Sequence, residues 1–177
     1  AMTVRELKSR RYAVEDAAEA IELYFEKGWS DGLPVVPPTK ERIWAMLEAV
    51  GLEPDHQITF ITNRQTAVTA EKVAINAVMA GCKPEYMPVI VAAIEAIGDP
   101  KWGYHGPGTS TGGAAVLTIV NGPIARKLQI NSGDNLFGPG SLPGGLLGLE
   151  DRAKEAIPNT LGDLDHLAPW KLVKREG

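Results

Sequence analysis

Between Val14 and Lys27, Ala17, Ala20, Ile21, Tyr24 and Phe25 recur at three- and four-residue intervals, and Glu15, Asp16, Glu19, Glu22 and Glu26 occupy the other face. That spacing predicts an amphipathic helix stopped by Gly28. A second helix is predicted from Lys40 to Val50, capped by the Thr39 hydroxyl, burying Ile43, Met46, Leu47 and Val50 and closed by Gly51. The β-branched run Gln57 to Thr62 predicts a short strand. A third helix is expected from Thr69 or Ala70 to Ala80, with Val73, Ala74, Ala77 and Val78 inside and Gly81 at its end. A fourth runs from Pro84 or Pro88 to Ile97, since proline is tolerated only in a first turn.

Further along, the continuous apolar run Ala114 to Val120 has the length of a strand covered on both faces. Pro123 to Leu128 reads as a short helix, and Glu150 to Ala156 as a last modest one. The connector Gly28 to Thr39 carries three prolines and should be extended and stiff, with a further short strand conceivable near Leu33 to Val36. Residues 131–148 show no periodicity at all, which in a compact domain marks a functional or partner-covered loop. These elements define an α/β chain, with a small sheet flanked by helices and glycine-rich loops at one edge. At 177 residues the expectation is a single domain over 1–177, with an N-terminal arm at 1–13 and an extended tail at 159–177.

Composition adds one anomaly to this ordinary picture. The chain is 44% hydrophobic and 23% charged, yet 12 of its 19 glycines fall between Gly103 and Gly148. The net charge of −4 lacks the basic footprint of nucleic-acid binding. No window approaches a membrane span, and the N-terminus lacks the apolar core of a signal peptide, so a cytoplasmic location is expected, without membrane or nucleic-acid partners. The single cysteine excludes an internal disulfide.

Cys82, in MAGCKPEY, lies between two predicted helices. A thiol at a helix N-terminus beside Lys83 is expected to favour the thiolate, an activated nucleophile, with Glu85 and Tyr86 within one turn as proton-transfer groups. The opposing reading is a small buried hydrophobe. In YHGPGTSTGG, His105 sits among glycines ahead of Thr109, Ser110, Thr111, Gly112 and Gly113, a set suited to cradling an anion with backbone N–H groups and hydroxyls. No P-loop or dinucleotide fingerprint is present, so no cofactor is assigned. His105 is the histidine best placed for acid–base work, while His56 and His166 read as surface or packing residues. Asn131, Ser132, Asp134 and Asn135 form either simple turns or further site groups, and Asp134 would orient His105 in a Cys–His–Asp set. Asp31, in the Trp29 to Thr39 connector, is a last candidate for substrate contact.

The strings GWSDGLPVVPPT, INAVMAGCKPEY and GTSTGGAAVLTIVNGPIARKLQINSGDNLFGPG resemble signature segments of a bacterial protein family to which no settled activity attaches. The resemblance covers about Tyr12 to Gly140. It implies that longer members continue with another glycine-rich α/β segment, a pattern this chain leaves after Gly140.

Three functions follow as expectations. The first is a small-molecule enzyme using Cys82, by carbon–heteroatom cleavage, addition–elimination or thiol redox, on a substrate expected to be anionic. The second is a subunit or binding module of a homo- or hetero-oligomeric enzyme whose glycine-rich loops dock on a partner chain. The third is a metal site built from Cys82, His105 and Asp134.

Overall fold

A computed structural model describes residues 6–106 and 116–132, which fall into two compact units, one reaching Trp102 and one beginning at Gly103. The first unit holds four α-helices and a two-stranded antiparallel sheet: α1 (Ala17–Glu26), α2 (Lys40–Val50), β1 (Gln57–Ile61), β2 (Thr66–Thr69), α3 (Ala70–Met79) and α4 (Met87–Gly98). It is a small α/β arrangement in which helices pack about a minimal sheet. In the second unit the described residues hold a short helix, α5 (Pro123–Lys127).

Side-chain caps start two of the helices. Asp16 caps α1 by accepting from the Glu19 amide at 2.9 Å, so a residue expected on the wet face of the helix is instead its start. Thr39 caps α2 through the Arg42 amide at 3.4 Å. Three of the long helices end in the same way. Gly28, Gly51 and Gly81 take left-handed φ values of 64°, 64° and 80°. The next residue then reaches back five positions with its N–H: Trp29 to Tyr24, Leu52 to Leu47 and Cys82 to Ala77. The short α5 repeats the pattern with Gln129 (φ 56°) and an Ile130 to Ala125 bond.

Helix α3 is the centre of the first unit. Of its ten residues only Asn76 is not buried, because α2 and α4 pack against it and the N-terminal arm closes a further side. The predicted stripe of Val73, Ala74, Ala77 and Val78 is therefore part of a wider buried surface. Glu71 and Lys72 are inside as well. The Glu71 carboxylate accepts from the backbone amides of Lys8 (3.0 Å) and Ser9 (2.9 Å), while the Lys72 ammonium donates to the Ser9 hydroxyl at 3.1 Å. Desolvation pulls the Lys72 pKa down against the opposing attraction of Glu71. The arm thus trades its free amides for a buried anionic anchor.

The sheet differs from expectation in its second strand. β1 lies where the β-branched run predicts it, but its partner is β2, reached through a single 3-10 turn, Thr62–Arg64, and Gln65 in the left-handed region (φ 50°). The register pairs Ile61 with Thr66, Phe60 with Ala67 and Thr59 with Val68, and a bulge falls before Thr59. Helix α4 crosses β1 so closely that a Cβ on Gly98 would lie 1.8 Å from the Thr59 hydroxyl oxygen, so only glycine fits there.

The apolar run expected as a buried central strand is not one over its described part. Residues 116–120 form no ladder, and Leu117 and Ile119 are 59% and 73% exposed while Val116, Thr118 and Val120 are half-buried. A continuous apolar run signals burial only if a covering layer exists on both faces, and here alternate side chains face outward. Nor is there a strand at Leu33 to Val36. The Val36 amide there donates instead to the Met79 carbonyl at the end of α3 (3.2 Å). The predicted helix Glu150 to Ala156, the tail from Asn159 and most of the 131–148 loop lie outside the described residues.

Candidate functional site

The connector from Leu33 to Thr39, tied to the end of α3 by the Val36 amide, closes one side of a pocket of about 220 Å³. Its lining joins three parts of the chain: Val36 from the connector; Arg42, Ala45 and Met46 from α2; and Val78, Gly81, Cys82, Lys83 and Pro84 from α3 and the turn after it. The walls are mainly apolar. Two cations line the pocket and no carboxylate does. Among the described residues neither Arg42 nor Lys83 forms an ion pair, the ion pairs found being Lys8 with Asp55 and Arg11 with Glu6.

Cys82 belongs to this pocket, but not as an activated thiolate. Burial pushes its thiol up to about 11 from an ordinary 9.0. The expected helix N-terminus is too far along the chain: a 3-10 turn occupies Pro84–Tyr86, and α4 starts only at Met87. The amide of Cys82 instead closes the carboxyl end of α3, whose macrodipole disfavours an anion. At pH 7 roughly one thiol in ten thousand would be ionised. The position also explains why a cysteine suits the fold. It is equivalent to Trp29, Leu52 and Ile130 at the ends of α1, α2 and α5, places where an apolar side chain packs back on its helix.

Tyr86 is brought beside this thiol. It is buried, and its phenol is held above the ordinary tyrosine range by loss of hydration first, then by the charges of Glu85 and Cys82. Glu85 is exposed. Three of the predicted catalytic residues therefore share one turn, with both acidic hydrogens, thiol and phenol, retained at neutral pH.

The remaining candidates are distributed differently. Asp31 is exposed and closes a local turn, its carboxylate accepting from the Leu33 amide at 3.1 Å while the Ser30 hydroxyl accepts from Gly32 and donates to the Leu33 carbonyl. It does not line the pocket. His105 is exposed, Asn131 is half-buried, and both belong to the second unit. Thr109, Ser110, Thr111, Gly112, Gly113, Asp134 and Asn135 lie outside the described residues, as does His166. Among the described residues no three His, Cys, Asp or Glu side chains are gathered to hold a metal ion, and no helix is long and apolar enough to cross a membrane.

A second, wider depression of about 420 Å³ lies along α2 and α4, lined by Ala49, Val50, Leu52, Pro88, Val91 and Ala92 with His56 and Glu95. The site residue that sequence reasoning missed is Arg42. Its only local signal is a cation in the first turn of a helix, where the macrodipole favours acids instead. Set against protein-family models, curated proteins and solved structures, the chain matches none of them.

Proposed function

We propose that this chain is a small-molecule enzyme whose reacting group is the Cys82 thiol, used in its neutral form. The observation that carries the reading is the placement of that thiol in a pocket walled mainly by apolar side chains. A thiol held near 11 has no standing thiolate, so its proton must leave as the bond to carbon forms, which addition–elimination at a basic substrate atom provides. In the addition, the S–H bond breaks as sulfur bonds to an electrophilic carbonyl carbon and the proton passes to the carbonyl oxygen; in the elimination that oxygen returns its proton to the heteroatom leaving group as the carbon–heteroatom bond breaks, and water then adds to the thioester carbon and expels the thiol by the same two steps. The test is alkylation of the folded protein by iodoacetamide from pH 7 to pH 11, located by mass spectrometry. Slow reaction at pH 7 that climbs with an apparent pKa near 11 is expected. A Cys82 that reacts only after denaturation would make it a packing residue and remove the enzyme reading.

A second reading is favoured by one different observation, the outward-facing Leu117 and Ile119 on a segment without a ladder partner. It takes the chain as a subunit or binding module that docks on another polypeptide. Light scattering coupled to size-exclusion chromatography distinguishes the two, since a monomer at all concentrations speaks against self-association through this segment.

A further inference from the structure

We infer that the pocket at the end of α3 is a binding site for a small aliphatic carboxylate, with Arg42 and Lys83 as its anion-holding residues. The inference deepens the enzyme reading and rests on the same pocket, naming the class of molecule it accepts. The argument begins with charge. The chain carries a net −4, yet this pocket is lined by two cations and no acid, and neither cation is neutralised by an ion pair among the described residues. Arg42 sits in the first turn of the eleven-residue α2, where Glu41 beside it partly offsets the positive end of the helix dipole but does not line the pocket. A cation there raises the local potential further, and a bound anion relieves both at once. Lys83, from the turn after α3, brings the second positive charge from the other side of the chain.

Shape and chemistry narrow the ligand. Val36, Ala45, Met46, Val78 and Pro84 offer nothing to a fully polar ion, so inorganic phosphate would leave those walls dry and unmatched. An organic anion with a short aliphatic body satisfies both parts, with its charge at the cations and its carbons on the walls. The volume of about 220 Å³ falls below the ~300–1,000 Å³ typical of sites for drug-sized ligands, so the body is small. A planar carboxylate suits the fork of an arginine, which can meet both oxygens. The neutral Cys82 thiol is compatible with this neighbour, since a thiolate would repel it.

The experiment uses butyrate as probe, with butyramide and inorganic phosphate as matched controls, and reads binding to the whole chain by titration calorimetry and by amide shifts in NMR spectra. Butyrate should bind, with shifts at Cys82, Lys83 and the first turn of α2, and butyramide and phosphate should each bind at least about tenfold more weakly. Arg42→Gln and Lys83→Gln, both at exposed positions, should each weaken butyrate by about tenfold while the amide spectrum keeps its folded dispersion. Equal binding of butyrate and butyramide, equal binding of phosphate, no butyrate binding, or wild-type affinity in both variants would each overturn the inference. Cys82→Ser should still bind butyrate. If butyrate binds while Cys82 resists alkylation, the enzyme reading fails and the carboxylate site stands; if Cys82 alkylates as expected and butyrate does not bind, only the carboxylate site fails.

Discussion

Helix α3 and the run from Val116 to Val120 are both rich in small and branched apolar residues, and the structure treats them in opposite ways. Nine of the ten residues of α3 are buried, including a glutamate and a lysine, whereas the most apolar side chains of the later run, Leu117 and Ile119, are the most exposed large hydrophobics among the described residues. Apolar character alone does not decide burial; the neighbours do. Helix α3 has α2, α4 and the N-terminal arm around it, so that even charged side chains there find partners of their own.

The contrast can be broken most directly by truncation. Leu47→Ala, on the α2 face packed at 1% exposure in the same core, should cost about 2–5 kcal/mol in urea unfolding. A loss below 1 kcal/mol would mean that this core is loosely packed.

A second probe uses pH. The Cys82 thiol ionises near 11 in the folded chain and near 9.0 when unfolded, so burial stabilises the fold fully below pH 9 and this contribution is lost as pH rises through about 11. Its size is on the order of 2–3 kcal/mol. Cys82→Ala should flatten the alkaline limb of a stability-versus-pH curve, and an unchanged limb would contradict the burial of the thiol.

Gly98→Ala comes next. Its new methyl would overlap Thr59, and thermal unfolding should show a loss of about 1–3 kcal/mol, partly recovered by adding Thr59→Ser, which removes one of the clashing atoms. The smallest effect is expected from Leu117→Ser and Ile119→Ser, each within about 0.5 kcal/mol of the parent by denaturant titration. A loss above 2 kcal/mol in either would show that the run is covered after all, and would erase the contrast with α3.

Legibility in the sequence followed the range of the interactions involved. The limits of α2 were readable because Thr39 and Gly51 act within one turn of themselves. Asp16 was harder, since an acid at the edge of an acidic helix has the same appearance whether it caps or merely faces water. β2 went unseen because its turn uses Gln65 in a left-handed conformation, with no glycine or proline to announce it. At the candidate site, the clustering of Cys82, Glu85 and Tyr86 was local and therefore visible. The pKa of the thiol was not, because local sequence suggests a helix dipole while tertiary burial sets the outcome. Arg42 reaches the same pocket from forty residues away through the packing of α2 on α3, a relation no local pattern encodes.

The anchor that Glu71 makes with Lys8 and Ser9 spans 63 and 62 residues and carries a consequence for synthesis. A ribosome releases the arm before α3, and the carboxylate that holds it emerges only after α1, α2 and the β1–β2 pair have been made. For that interval the arm has no docking place, and its amides stay hydrated. Closing a loop of this length costs only slightly more than closing one half as long, so the delay is one of order and not of thermodynamic penalty. Lys8 and Ser9 thus leave the ribosome well before the residue that anchors them, and their docking closes a side of α3.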